Sequence, residues 1–135
     1  MRLIAQDEED LKVISAALQD AVAKIGDIAF ANGQLTVALN RYRWEAEGKR
    51  GERVRTGLQI GCVKSVQSRK LRRDAKGAVV ELLALGFEPA EAPGGAIVFT
   101  FAGGGDLRAE VECIDAVLAD VSPAWPTPRK PEHQL

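Results

Sequence analysis

The sequence predicts an α+β domain: a mainly antiparallel sheet, or a partly open barrel, of about seven strands, with an N-terminal helix and a C-terminal helix. Three observations carry this. Two reversals, Asn32-Gly33 and Gly103-Gly104-Gly105-Asp106, each separate apolar runs, and such residues supply the positive φ that tight hairpins need. Leu107, Ala109, Val111 and Cys113 alternate with Arg108, Glu110 and Glu112, the period of two of a strand with one wet face. Leu11, Ile14, Ser15, Leu18 and Val22 fall at helical spacing, and no strand–helix–strand alternation favours a parallel sheet.

Taken in order, Met1–Ala5 fits a short edge strand or an unordered start. Asp7 is placed to cap a helix whose first turn holds Glu8, Glu9 and Asp10, favourable for the helix dipole. That helix is expected to end near Ala21, and Asp20, polar among apolar neighbours, to anchor a turn or a buried hydrogen bond. Asp27–Ala31 and Leu35–Trp44 form a hairpin around Asn32-Gly33. Arg53–Ser68 is too long for one ordinary strand, so Gly61 marks a bulge or a corner between two. Val79–Phe87, apolar nearly throughout, reads as a central strand, with helix the alternative. Ile97–Phe101 pairs through the Gly103–Asp106 turn with Leu107–Cys113. Ile114, Val117, Leu118 and Val121 then predict the C-terminal helix, stopped by Ser122-Pro123. One domain over residues 1–122 and a proline-rich, solvated tail over 123–135 complete the organisation. This element count matches a pleckstrin-homology-like barrel.

A chain of 135 residues can bury roughly two-thirds of its unfolded surface and needs no metal or disulfide to fold. No apolar run nears the ~20 residues of a membrane span, and the start lacks a basic-then-apolar leader, so a cytoplasmic protein is expected. Cys62 and Cys113 sit on the apolar parity of their strands and are expected as buried, unbridged small hydrophobes. The single histidine, His133, lies in the tail, leaving the body no imidazole for acid–base or metal chemistry. Gly103–Gly105 is not a phosphate loop, because a strand follows it and Asp106 repels phosphate. Glu110 and Glu112, with Glu81 and Asp115 as potential neighbours, read as solvated carboxylates rather than a catalytic pair. No catalytic, cofactor or metal residue is assigned, and an enzyme is not expected.

Charge is where the sequence departs most from the ordinary. Residues 1–40 carry three basic and six acidic groups, net −3; residues 41–76 carry twelve and four, net +8; residues 77–135 carry three and nine, net −6. Arg41-Tyr42-Arg43-Trp44 alternates cation and ring, a pattern of surfaces that hold single-stranded nucleic acid, although aromatics packing and arginines snorkelling at a strand end is the leading reading. Were Arg53–Ser68 a hairpin bent at Gly61, the basic loops Lys49–Arg55 and Arg69–Lys76 would meet beside Arg41 and Arg43. The candidate contacts for an anionic ligand or partner are therefore Arg41, Arg43, Trp44, Arg69, Lys70, Arg72 and Arg73. The expected function is a small interaction or adaptor domain, the alternative a binder of an anionic ligand or nucleic acid through residues 41–76.

DLKVISAALQDAV (Asp10–Val22), ALNRYRWE (Ala38–Glu45), ELLALGFEP (Glu81–Pro89), FAGGGDLRAEVECI (Phe101–Ile114) and PAW (Pro123–Trp125) together resemble the uncharacterised alphaproteobacterial domain-of-unknown-function family 2948. The likeness runs in order across nearly the whole domain. It implies a bacterial cytosolic protein and brings no catalytic residue, cofactor or substrate with it.

Overall fold

Asn32 and Gly33 take φ of 53° and 75°, so the chain reverses within two residues and the flanking strands pair. The computed structural model describes residues 1–45 and 51–127. Strand β3 (Ile28–Ala31) runs against β4 (Gln34–Tyr42), from Ala31 opposite Gln34 to Ile28 opposite Val37. Leu35, Val37 and Leu39 are buried, the inward parity of a half-wet strand. β5 (Gly51–Ile60) lies along β4 from Leu35 opposite Ile60 to Tyr42 opposite Arg53.

The chain then turns a corner at Gly61 and Cys62. The Gly61 N–H donates to the Asp115 carbonyl at 2.8 Å, and Cys62 adopts φ 57°. A Cβ on Gly61 would lie 2.7 Å from the exposed Asp115 carboxylate, which would have to swing aside to admit it. β6 (Val63–Arg69) leaves the corner and pairs with β9 (Asp106–Val111), not with β5. The Arg53–Ser68 stretch is thus a bent continuation across the sheet rather than a hairpin, and its two ends do not meet.

The other strands are β1 (Arg2–Ala5), β2 (Val22–Lys24), β7 (Val79–Pro89), β8 (Gly95–Phe101), β10 (Ala116–Asp120) and β11 (Trp125–Thr127). They join one antiparallel sheet in the order β1-β10-β5-β4-β2-β7-β8-β9-β6, with β3 a branch on β4 and β11 a branch on β5. Val79–Phe87 is the strand its apolar run suggested. Its inward Leu82 and Leu85 meet Phe99 and Phe101 of β8 in the core.

Three expectations are overturned. The described residues hold eleven strands rather than about seven, in an open sheet, with one short helix, so the α+β and barrel readings both give way to a mainly antiparallel sheet. The predicted C-terminal helix is β10. Its Ala116 and Leu118 are fully buried, and it lies between β1 and β5, antiparallel to both. Its second face carries apolar, half-buried Val117 and Ala119 in place of polar residues, so burial alternates but polarity does not, and the spacing mimicked a helix. The stretch from Pro123 is not wholly a solvated tail, since β11 ladders onto Gly51–Arg53 of β5. Residues 128–135, His133 among them, and 46–50 of the first basic loop lie outside the described residues.

Helix α1 (Glu8–Ala17) begins as expected, with Asp7 Oδ1 accepting from the Asp10 N–H at 2.8 Å. It stops earlier than its apolar spacing suggested because Asp20 adopts φ 63° and turns the chain into the sheet. The Asp20 N–H donates to the Leu82 carbonyl and the Leu82 N–H to the Ala21 carbonyl, both at 2.8 Å. Leu11, Ile14 and Leu18 face the core. The ladder between β7 and β8 shifts register between Leu82 and Ala84, and just beyond it Ser15 Oγ accepts the Leu85 N–H at 2.9 Å. Ser15→Ala would leave that N–H unsatisfied beneath the helix. We expect a loss of about 1–3 kcal/mol in urea unfolding with an unchanged m-value, and a loss near zero would show the bond to be incidental.

Candidate binding cleft

Arg41, foremost of the predicted contacts, has no exposure at all. Its Nε donates to Asp120 Oδ1 at 2.9 Å and its Nη2 to Asp120 Oδ2 at 2.7 Å, while Nη1 and Nη2 reach Glu45 at 2.9 and 2.8 Å. Burial works against the charged guanidinium, but hydrogen bonds to the two carboxylates outweigh it and raise its pKa. Burial likewise opposes ionisation of Asp120, and the bonds from Arg41 and the N-terminal amine prevail, drawing it down to about 2. The Met1 amine is 3.1 Å from Asp120 Oδ2. This is a structural lock, not an open anion site.

The other predicted contacts divide. Arg43 lies 3.4 Å from Glu52 and 3.7 Å from Glu45. Trp44 Nε1 donates to the Gln19 carbonyl at 3.2 Å, and its ring meets Tyr42 edge-on at 4.8 Å, so these aromatics pack on each other rather than offering open faces. Arg69 is held by Asp106 at 2.6 Å, a bond that keeps the Asp106 carboxyl below its usual range. Lys70, Arg72 and Arg73 are exposed, as is Lys76; Lys70 acts on Asp106 only through its charge. Among the described residues of 41–76, Arg41, Arg43, Arg55 and Arg69 are set against carboxylates while the 70–76 loop stays charged, so these residues do not form one patch.

Beside that loop a cleft of about 230 Å³ opens between β3 and β6. Ile28 and Phe30 form one wall, Leu35 and Leu107 the floor, and Val66 and Leu71 the other wall; Ser68 adds a hydroxyl. The rim carries Arg73 and Lys76, and among the described residues no carboxylate lines the cleft. Backbone bonds fix its two ends. Val63 N–H donates to Gly33 carbonyl at 2.9 Å at one, and Gly26 N–H to Lys76 carbonyl at 2.9 Å at the other. Between these ties β3 ladders only to β4 and β6 only to β9. Lys76, Phe30 and Leu71 were not singled out from the sequence; the one available signal was Phe30, a bulky ring one residue from a hairpin turn.

A family model described as "Protein of unknown function (DUF2948)" matches residues 1–133. The chain belongs to the DUF2948 family. No curated protein and no solved structure matches it. Among the described residues of this DUF2948 member, no helix is long and apolar enough to cross a membrane.

Two further groupings complete the surface. Glu110 and Glu112 line a shallow groove with Glu88, Glu91, Lys64 and Arg108; Arg108 pairs with Glu88, and no group of three metal-capable side chains occurs among the described residues. Cys62 and Cys113 are unbridged, but the expected burial fails: Cys62 is exposed and Cys113 half-buried. The corner at Gly61 turns Cys62 out of the strand parity that implied burial. A hydrogen bond with the Cys113 thiol, its charge, and the nearby Asp115 and Glu112 all push the Cys62 pKa up.

Two outcomes are expected. Maleimide should label Cys62 before Cys113, its rate rising at higher pH than an exposed reference thiol; equal rates at both cysteines would contradict the structure. Because Asp120 is depressed when folded, its contribution is present above its ordinary 3.8 and lost as pH falls through about 2. Its share is roughly 2 kcal/mol. Asp120→Asn should therefore flatten acid unfolding between these values, and at neutral pH destabilise by about 2–3 kcal/mol by removing one of the two carboxylates that balance a buried cation, Glu45 being the other. An unaltered acid limb would disprove the lock.

Proposed function

We propose that this DUF2948 domain is a non-enzymatic interaction module that engages its partner through the cleft between β3 and β6. The observation that carries the reading is a surface-open apolar cleft rimmed by cations and, among the described residues, free of carboxylates. Burying an apolar group there removes its walls from water, including the 44% exposed Phe30, and the rim gives orientation and a salt-sensitive approach. The cytoplasm is the proposed compartment, where two unbridged thiols are stable.

A second reading, binding of an anionic ligand or nucleic acid, is favoured by one observation: Lys70, Arg72, Arg73 and Lys76 form a run of exposed cations. One experiment separates the two. The immobilised full chain is exposed to native bacterial lysate alongside Phe30→Ser and Arg73→Glu variants, with and without nuclease. The wild type should retain a discrete protein that both variants lose, while their melting temperatures stay within a few degrees, as befits exposed positions. Retention that both variants share would move the interface elsewhere. Retained material that nuclease removes would establish the second reading instead.

A further inference from the structure

We propose that the cleft receives an extended acidic peptide segment of another protein, with one large apolar side chain seated between Phe30 and Val66 and flanking carboxylates on Arg73 and Lys76. The proposal rests on the cleft being the recognition surface and adds the chemistry of what it recognises.

Size argues first. At about 230 Å³ the cleft falls short of the ~300–1,000 Å³ of pockets that enclose a whole small ligand. It holds one side chain, not a cofactor. Charge argues second. The Lys70–Lys76 loop carries four basic groups and one acidic group, net +3, and among the described residues the cleft itself shows only cations, so an acidic flank is matched and a basic one repelled. The strands argue third. β3 and β6 wall the cleft, and among the described residues each is laddered on one side only. A main chain laid between them finds N–H and C=O groups without a ladder partner, the basis of recognition by strand addition. Past Val63, β6 presents exposed Lys64, a charge that guards an edge against indiscriminate pairing. Single-stranded nucleic acid fits less well, because it stacks on open aromatic faces. Tyr42 and Trp44 are packed on each other, and Phe30 is the cleft's one ring.

The test is selection of phage-displayed random decapeptides on the immobilised full chain. Enriched sequences should share a Leu, Ile, Phe or Trp with at least two Asp or Glu within three residues. A fluorescein-labelled synthetic copy of the leading sequence should lose about tenfold in affinity on Arg73→Glu with Lys76→Glu, and weaken comparably in about 0.5 M salt. Enriched sequences without carboxylates, or an affinity unmoved by the charge reversal, would overturn the proposal. Decanoate and a single-stranded oligonucleotide serve as controls, read by amide shifts in β3 and β6. If no peptide is enriched and either control shifts those amides, the cleft is a binding site for different chemistry and the peptide proposal fails alone. If no probe moves them, the interaction module itself is refuted.

Discussion

A guanidinium with no solvent exposure sets the terms for half of this sheet. Removing Arg41 from water costs several kcal/mol unless its donors are matched closely, and the match comes from residues 79 positions away in sequence. Arg41 stands on β4 and Asp120 on β10, and both strands flank β5. The ion pair therefore crosses over β5 and holds three strands in register. Thr56, buried on β5, adds a bond from its hydroxyl to the Ala119 carbonyl at 3.0 Å. Asp120 also takes the Met1 amine, which draws β1 to the outer edge of β10. Were residues 116–120 helical, the extended register that presents Asp120 to Arg41 would vanish and leave the buried cation with Glu45 alone. Tertiary electrostatics thus decide the conformation of a segment whose local spacing favours a helix.

The same pairing redistributes charge. A segment of net +8 suggests one broad basic face. Folding sets Arg41 on Asp120, Arg55 on Asp27 and Arg69 on Asp106, carboxylates drawn from the two acidic thirds of the chain. Of these the Arg55 and Arg69 pairs are exposed or half-exposed and add little stability, on the order of 0–1 kcal/mol each. Their larger effect is to cancel field along the strands. What persists is the loop from Lys70 to Lys76, at the mouth of an apolar cleft, where a local charge steers most.

Residues that speak through local chemistry were legible in the sequence. Asn32-Gly33, the Asp7 cap, the corner at Gly61 and the alternation of Leu107–Val111 each declare a conformation that the backbone then adopts. Asp20 was legible as a turn anchor but not as the αL residue that ends the helix two turns into its apolar stripe. Residues 116–120 were misread because Val117 and Ala119, on the half-buried face, are as apolar as Ala116 and Leu118 on the buried one, which hides the strand's period. The arginines were legible as charges and illegible as partners: nothing near Arg69 in sequence points to Asp106. Cys62 was assigned to the wrong side because one αL residue at the corner breaks the parity on which the assignment rested.

The cleft is the least local feature of all, and it follows from the topology. The corner sends β6 away from β5 to pair with β9, so only its first residue touches the β3–β4 turn, through Val63 and Gly33. β3 is four residues long and cannot follow β6 further. The two edges diverge from that single bond until the 70–78 loop closes the far end on Gly26 and Ile25. Filling the gap with another strand would complete the sheet at this point, and the side chains left facing it are apolar. A fold that wanted only stability would cover such walls from within; here β3 and β6 each keep one edge without a ladder partner among the described residues, and the only charges on the cleft's lining are positive. That arrangement favours completion by a segment from outside the domain over closure by the domain itself.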